Sequence, residues 1–324
     1  MFKQGNQMLL KHGALAVLLG ISVIASCKQA EQATVMPDGD KGLLKVAVAN
    51  YPLAYFAERI GGTEVKVIYR IPAETDPAFW EPSASDIAEF QGADLILMNG
   101  ATYSKWADKA SLPASKVVDT STAFSDQFIE VKNGNSHSHG KQGEHSHDGT
   151  AFTTWIDFMQ AVQQADAVSQ ALQKLRPSQV ELFALNFDLL KQDIMALDSA
   201  MKETGQKLQG QPIIASHPVY QYWARRYQID LRSLLWEPDV APTNEQISEL
   251  KKLIQNQPAR WFVWEGTPME QSVEKLKILG LESVTFAPCG NKPESGNWLS
   301  VMKDNLANIQ KITEPEQMTP GAHR

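Results

Sequence analysis

The pattern of apolar and polar positions changes period along the chain. Continuous apolar runs of strand length occur at residues 43–50, 65–69, 94–100 and 116–120, and helical spacing begins between them at Pro52, Ser85 and Tyr103. Strands that are apolar throughout and alternate with helices predict a parallel sheet covered on both faces. From Ser178 the period lengthens. Val180, Phe183, Phe187, Leu190, Ile194, Leu197 and Met201 are spaced 3, 4, 3, 4, 3, 4. One stripe of that kind predicts a helix of about 27 residues, roughly 40 Å long. A shorter helix over residues 156–175 precedes it and stops at Pro177. The stripe carries phenylalanines at its core positions and covers few heptads, which favours packing inside a monomer over a coiled-coil dimer.

Beyond Gly205 the alternation resumes, with strand runs at 212–216, 231–236, 260–266 and 283–290, each followed by a helical pattern. The expected class is α/β: two Rossmann-like lobes with parallel sheets, bridged by a long backbone helix. The expected division is an N-terminal lobe over 43–154, linking helices over 155–206, a C-terminal lobe over 207–315 and a tail over 316–324.

The first 26 residues carry Lys3 and Lys11, no acid, and an apolar run from Ala14 to Ile24, too short for a permanent membrane span. This is the pattern of a secretory signal. It ends Ile24-Ala25-Ser26-Cys27, which resembles a lipobox, so Cys27 is the expected lipid anchor and residues 27–42 a polar tether. The expected location is extracytoplasmic and membrane-anchored, facing the periplasm in a Gram-negative cell. The full chain has 30 basic and 37 acidic residues; without the two signal lysines the balance is 28 to 37, about −9. That surface repels nucleic acid. Cys289 is the one other cysteine, so no internal disulfide is available once Cys27 is acylated.

Four of seven histidines lie between Ser136 and Thr150: His137, His139, His145 and His147, among Gly, Ser, Asn and Lys. Neutral imidazole suits Zn²⁺, Cu²⁺ and Ni²⁺, whereas hard oxygen donors suit Mg²⁺ and Mn²⁺. Residues 133–149 are expected to capture metal weakly and exchange it; the plain alternative is an incidental low-complexity loop.

Several segments, NYPLAYFAERIGG, DPAFWEPSASDIAEFQGADLILMNG, TTWIDFMQA, ASHPVYQYWARRY, FVWEG and TFAPCGN, fall in an order that resembles the zinc and manganese solute-binding proteins of bacterial ABC importers. The resemblance spans about residues 43–313. It implies a metal held between two lobes and delivered to a membrane permease, and the histidine-rich insertion resembles the zinc-type branch. Zn²⁺ is the expected metal, with Mn²⁺ or another divalent ion second. At three positions where that family has ligands, this chain has Ala78, Thr153 and Ala287; only His217 stands where a family ligand stands.

The rearranged metal set expected from these residues is His217, Glu265 and, from the other lobe, Asp76. Glu265 follows a strand, where open parallel sheets place ligands, but an acid there could equally cap the next helix. Trp80, Thr153, Trp155 and Trp264 are expected near the cleft wall. Aromatic walls keep open a second reading, an organic ligand or metal chelate with the loop as zinc scavenger. A zinc-dependent hydrolase is a third. No G-x-S-x-G, H-E-x-x-H or phosphate loop is present, so a non-enzymatic monomer is expected.

Overall fold

The computed structural model describes residues 42–131, 136–138, 144–146 and 149–313. The expected signal, Cys27, nearly all of the tether, His139, His147 and the tail lie outside these residues. The chain begins with β1 (Leu44–Val48), α1 (Tyr51–Gly61), β2 (Val65–Ile68), α2 (Ala84–Gly92), β3 (Leu95–Met98) and β4 (Val117–Asp119). These strands form a parallel sheet in the order β2-β1-β3-β4. Two short antiparallel pairs follow: β5 (Glu130–Val131) with β8 (Gly149–Thr150), and between them β6 (Ser136–Ser138) with β7 (Glu144–Ser146). In the second pair His137 is the register partner of His145.

Next come α3 (Phe158–Leu175) and the 28-residue α4 (Val180–Lys207). The second lobe contains β9 (Ile213–Ala215), α5 (Gln221–Tyr227), β10 (Leu231–Ser233), α6 (Asn244–Asn256), β11 (Trp261–Trp264), α7 (Glu270–Ile278), β12 (Glu282–Thr285) and α8 (Trp298–Ile312). Its sheet is also parallel, in the order β10-β9-β11-β12. Both lobes thus share one topology, and in each the strand order reverses beside the first strand, where open α/β sheets leave a crevice for ligands.

The helix expected from Tyr103 is instead a single 3₁₀ turn, Lys105–Asp108. Gly100, Ala101 and Thr102 run consecutively at φ of 75°, 49° and 59°, so the chain leaves β3 in a left-handed turn, and Pro113 stops any later extension.

Pleat alternation sorts each sheet into two layers. Val46 and Val48 of β1 face one large core that runs through α1, α3, α4, α5 and α8 and includes Ile213, Ala215 and Val263 of the second lobe. Ala47 and Ala49 face an outer layer with Trp80, Phe90 and Ile96. In the second lobe Ile214, Phe262 and Trp264 face the corresponding outer layer with Trp236 and Leu250. The shared inner core joins the lobes, because α4 inserts Phe183, Leu190, Ile194, Leu197 and Met201 into it, all nearly fully buried.

Polar contacts fix α4 at several points along its length. Arg59 of α1 pairs with Asp193 at 2.9 Å, and Asn186 donates to the Ile60 carbonyl. Near its C-terminal end Asp198 accepts from Arg226 through both oxygens, at 2.6 and 2.8 Å, and from the Tyr227 hydroxyl at 3.0 Å. Gly205 allows the close crossing with α5: a Cβ there would lie 2.5 Å from the Tyr227 carbonyl oxygen. Burial alone would raise the pKa of Asp198, but hydrogen bonds and charge from Arg226, with Lys202 and Tyr227, hold it below its ordinary 3.8.

A carboxyl whose folded pKa is depressed stabilises the fold above its unfolded pKa and loses that stabilisation as pH falls through the folded one. Asp198→Asn is therefore expected to lose about 2–3 kcal/mol at neutral pH. In urea melts the gap from wild type should narrow progressively as pH falls below the ordinary carboxyl value of about 3.9. A gap that persists unchanged in acid would show that the carboxylate charge is not what holds α5 to α4.

Candidate metal centre

The strand order of the second lobe assembles the centre. His217 follows β9, and the strands on either side of β9 are β11 and β10, so the segments leaving them flank the imidazole. Glu265 follows β11. Glu237 follows the extension of β10, where Leu234 and Trp236 donate to the carbonyls of Ala215 and Ser216. Buried Ser216 ties the three segments together, since its hydroxyl accepts from the Glu265 amide at 3.2 Å.

His217 Nδ1 lies 3.1 Å from Glu265 Oε1 and 3.7 Å from Glu237 Oε1. The imidazole is 1% exposed, while the carboxylates are 19% and 20% exposed. One donor atom from each of the three residues lies within 4.8 Å of the others, and this is the one such His/Cys/Asp/Glu group among the described residues. Tetrahedral zinc with ~2.1 Å bonds places its ligand atoms about 3.4 Å apart, between the two measured separations. The donors fit a dication without rearrangement of the backbone. Burial favours the neutral form of His217, but charge and a hydrogen bond from Glu265, then charge from Glu237 and Asp76, raise its pKa above the ordinary 6.5.

The three donors open into a cavity of about 460 Å³ between the lobes. Thr153 and Trp155 line it, as expected, together with Tyr103 and Phe152. Asp76, expected as a ligand from the other lobe, also lines it and lies outside the three-donor group. One of its oxygens accepts from the Ala78 amide and caps the turn Pro77–Phe79. Trp80 and Trp264 lie instead in the outer layers of the two lobes. Trp80 packs edge-on against Trp106 at 5.7 Å in the outer layer of the first lobe. Trp264 has outward pleat parity; it stacks on Phe262 at 4.6 Å and its indole donates to Ser283. Ala78 and Ala287 are as placed by the sequence, and the backbone of Ala287 is held by the Asn305 carboxamide at 2.9 and 2.7 Å.

Glu237 is the residue that sequence reasoning missed. Its signal was present: an acid directly after an apolar strand run, the same logic that selected Glu265. What the chain order hid was that β10 would lie beside β9.

In the first lobe the matching crevice is closed by carboxamides. Asn50 donates to Asn99 Oδ1 at 3.1 Å, and Gln164 of α3 donates to the same oxygen at 3.1 Å and to Thr120 at 3.1 Å. All four residues are buried, and this network leaves the first lobe no donor of charge at its switch point. Instead the first lobe reaches the cavity through loops. Asn291 latches one of them, its carboxamide donating to the carbonyls of Pro72, Ala73 and Thr75 at 2.7, 3.1 and 2.7 Å, while its oxygen accepts from Tyr69 at 2.6 Å. The Trp155 indole donates to the Pro288 carbonyl at 2.7 Å, and Thr153 donates to Val219. Burial pushes the Cys289 thiol up to about 12, so it stays protonated at the cavity wall.

Removing the latch is expected to loosen one lobe only. Asn291→Ala should cost roughly 1–3 kcal/mol and accelerate amide exchange at residues 72–79, with β9 and β11 unchanged. Uniform acceleration in both lobes would contradict a local latch.

A family model described as zinc-uptake complex component A, periplasmic, matches residues 46–312. Among curated relatives, the zinc-binding lipoprotein AdcA of Streptococcus pneumoniae is 25% identical over 316 residues, covering 93% of this chain and 60% of that protein. The chain therefore spans about 60% of the length of its AdcA relatives. The high-affinity zinc uptake system protein ZnuA of Bacillus subtilis is 26% identical over 313 residues, covering 89% of this chain and 95% of that one. The fold is that of Zn(II)-bound AdcA from Streptococcus pneumoniae, with a TM-score of 0.71 at 20% identity over 85% of this chain and 59% of that chain. It is equally that of the metal-dependent lipoprotein YcdH from Bacillus subtilis, TM-score 0.71 at 20% identity over 83% and 98%. With a family model covering nearly all of both lobes and a matching fold, the chain belongs to the family of periplasmic zinc-uptake component A proteins.

Proposed function

We propose that this protein captures zinc outside the cytoplasm, holds it in the inter-lobe cleft through His217, Glu237 and Glu265, and hands it to an ABC importer in the membrane. The observation that carries this reading is the three-donor group, one nitrogen and two carboxylates within 4.8 Å of one another, lying where a parallel sheet reverses its strand order. Family membership supports zinc over manganese. Two relatives bear zinc binding or zinc uptake in their names.

The proposal extends to the expected lipid anchor and the histidine-rich segment. Acylation of Cys27 would hold the protein at the membrane, and no helix among the described residues is long and apolar enough to cross it. The histidines at 137, 139, 145 and 147 gather zinc at lower affinity and raise its local supply to the cleft. Capture at both places needs deprotonated imidazole, so uptake weakens as pH falls through the histidine range. We read the arrangement as serving binding rather than turnover, since the family model that matches the chain is that of a zinc-uptake component.

Competition titration of the full chain against a chromophoric chelator tests the reading. The expected result is one tight zinc site plus weaker loop sites. His217→Ala should weaken the tight site by about 100-fold or more, roughly 2.7 kcal/mol, and leave the weak sites in place. Glu237→Gln should weaken the same site, whereas Asp76→Asn should change it by less than about tenfold, 1.4 kcal/mol. All zinc affinity surviving in His217→Ala would locate binding in the loop alone and remove the cleft from the mechanism. Repeating the titration at about pH 7.5 and about pH 5.5 should show both classes weakened in acid; equal affinity at both would rule out imidazole capture.

A further inference from the structure

Resting on the zinc reading above, we infer that the cleft takes its metal together with a small, uncharged nitrogen donor of the imidazole class, which occupies the coordination place the protein leaves open. Among the described residues the three-donor group is one-sided. His217, Glu237 and Glu265 all belong to the second lobe, and tetrahedral zinc requires a fourth ligand. On the first-lobe side, positions 78 and 153 carry Ala78 and Thr153, the Thr153 hydroxyl is engaged with the Val219 carbonyl, and Asp76 accepts from the Ala78 amide to cap its own turn.

The remaining space is too large for an ion alone. A water molecule takes up about 30 Å³, and small-molecule pockets run from about 300 to 1,000 Å³. The cavity here is about 460 Å³, inside that range. The first lobe lines it with rings: Tyr103 meets Phe152 edge-to-face at 5.2 Å and Trp155 at 5.6 Å. Such a surface offers little to a hydration shell and is suited to packing a planar ring.

Charge narrows the class. Asp76 and Asp239 line the cavity along with Glu237 and Glu265, so four carboxylates face one dication. A carboxylate or phosphate ligand would enter a field of its own sign, whereas a neutral imidazole meets no such penalty, and a cationic amine attached to it is attracted. Free histidine meets the requirement with no net charge: its imidazole displaces water from the metal, its ring packs on the aromatic wall, its ammonium group meets the outlying aspartates, and its carboxylate stays in the solvent at the cleft mouth. The step is one coordinate bond formed from nitrogen to metal as one metal–water bond breaks.

Cobalt(II) serves as the spectroscopic stand-in for zinc. The full chain and its His217→Ala variant would each be loaded with cobalt, and the loop contribution common to both removed by difference. Each would then be titrated with imidazole, histidine, glycine and acetate. Imidazole and histidine are expected to change the d–d bands saturably at one equivalent and to tighten cobalt binding about tenfold. Acetate and glycine are expected to do neither. Phe152→Ala, which shortens the aromatic wall and touches no donor, should keep the cobalt and lose most of the tightening. Cobalt held through His217 with bands indifferent to every additive would overturn the co-ligand and leave the capture reading standing. An equal response to glycine or acetate would overturn the imidazole class. Absence of any His217-dependent cobalt signal would overturn both.

Discussion

A nearly fully buried imidazole set between two carboxylates needs a positive charge in their midst, and the rest of this site follows from that need. Without a cation, Glu237 and Glu265 face one another across His217 with water partly excluded; a proton on the ring answers the need weakly, and its pKa is accordingly raised. A dication answers it with bonds to all three. The backbone places the groups at this spacing through strand pairing, and Ser216 keeps the strand ends together, so the donor geometry rests on main-chain contacts. Little reorganisation then stands between encounter and capture.

The asymmetry between lobes gives the molecule its working logic. The second lobe carries the three clustered donors. The first closes its equivalent crevice with the Asn50–Asn99–Gln164 network and contributes walls and latches: Tyr103, Phe152, Trp155 and the loop held by Asn291. A rigid 28-residue α4, buried into a core shared by both lobes and pinned at Asp193 and Asp198, resists wide hinge opening. Metal release is better served by loop movement on the first-lobe side, where the donors are not, than by separation of the lobes.

Much of this architecture could be read directly from residue pattern. Eight strand runs, the 3,4 stripe of α4 and its interruption at Pro177 are local signals, and local signals survive without tertiary context. His217 and Glu265 were legible because each ends an apolar run. Glu237 ends one as well, yet only the order β10-β9-β11 brings it to His217, and strand order is a property of the whole sheet. The tryptophans failed for a related reason. Trp264 and Glu265 are adjacent in sequence and opposite in pleat, so one enters the outer core and the other the cleft. Asp76 was placed in the right cavity, but its carboxylate is occupied in capping the turn at Pro77. Tyr103 and Phe152 sit on irregular segments that carry no period, and nothing local marks them as wall.

The most direct test of the central claim is anomalous diffraction at the zinc edge from crystals of the full chain grown with zinc. The account predicts a peak about 2.0–2.2 Å from His217 Nδ1 and from one oxygen each of Glu237 and Glu265. A zinc peak elsewhere in the cleft with His217 still paired to Glu265, or no zinc in the cleft at all, would contradict it.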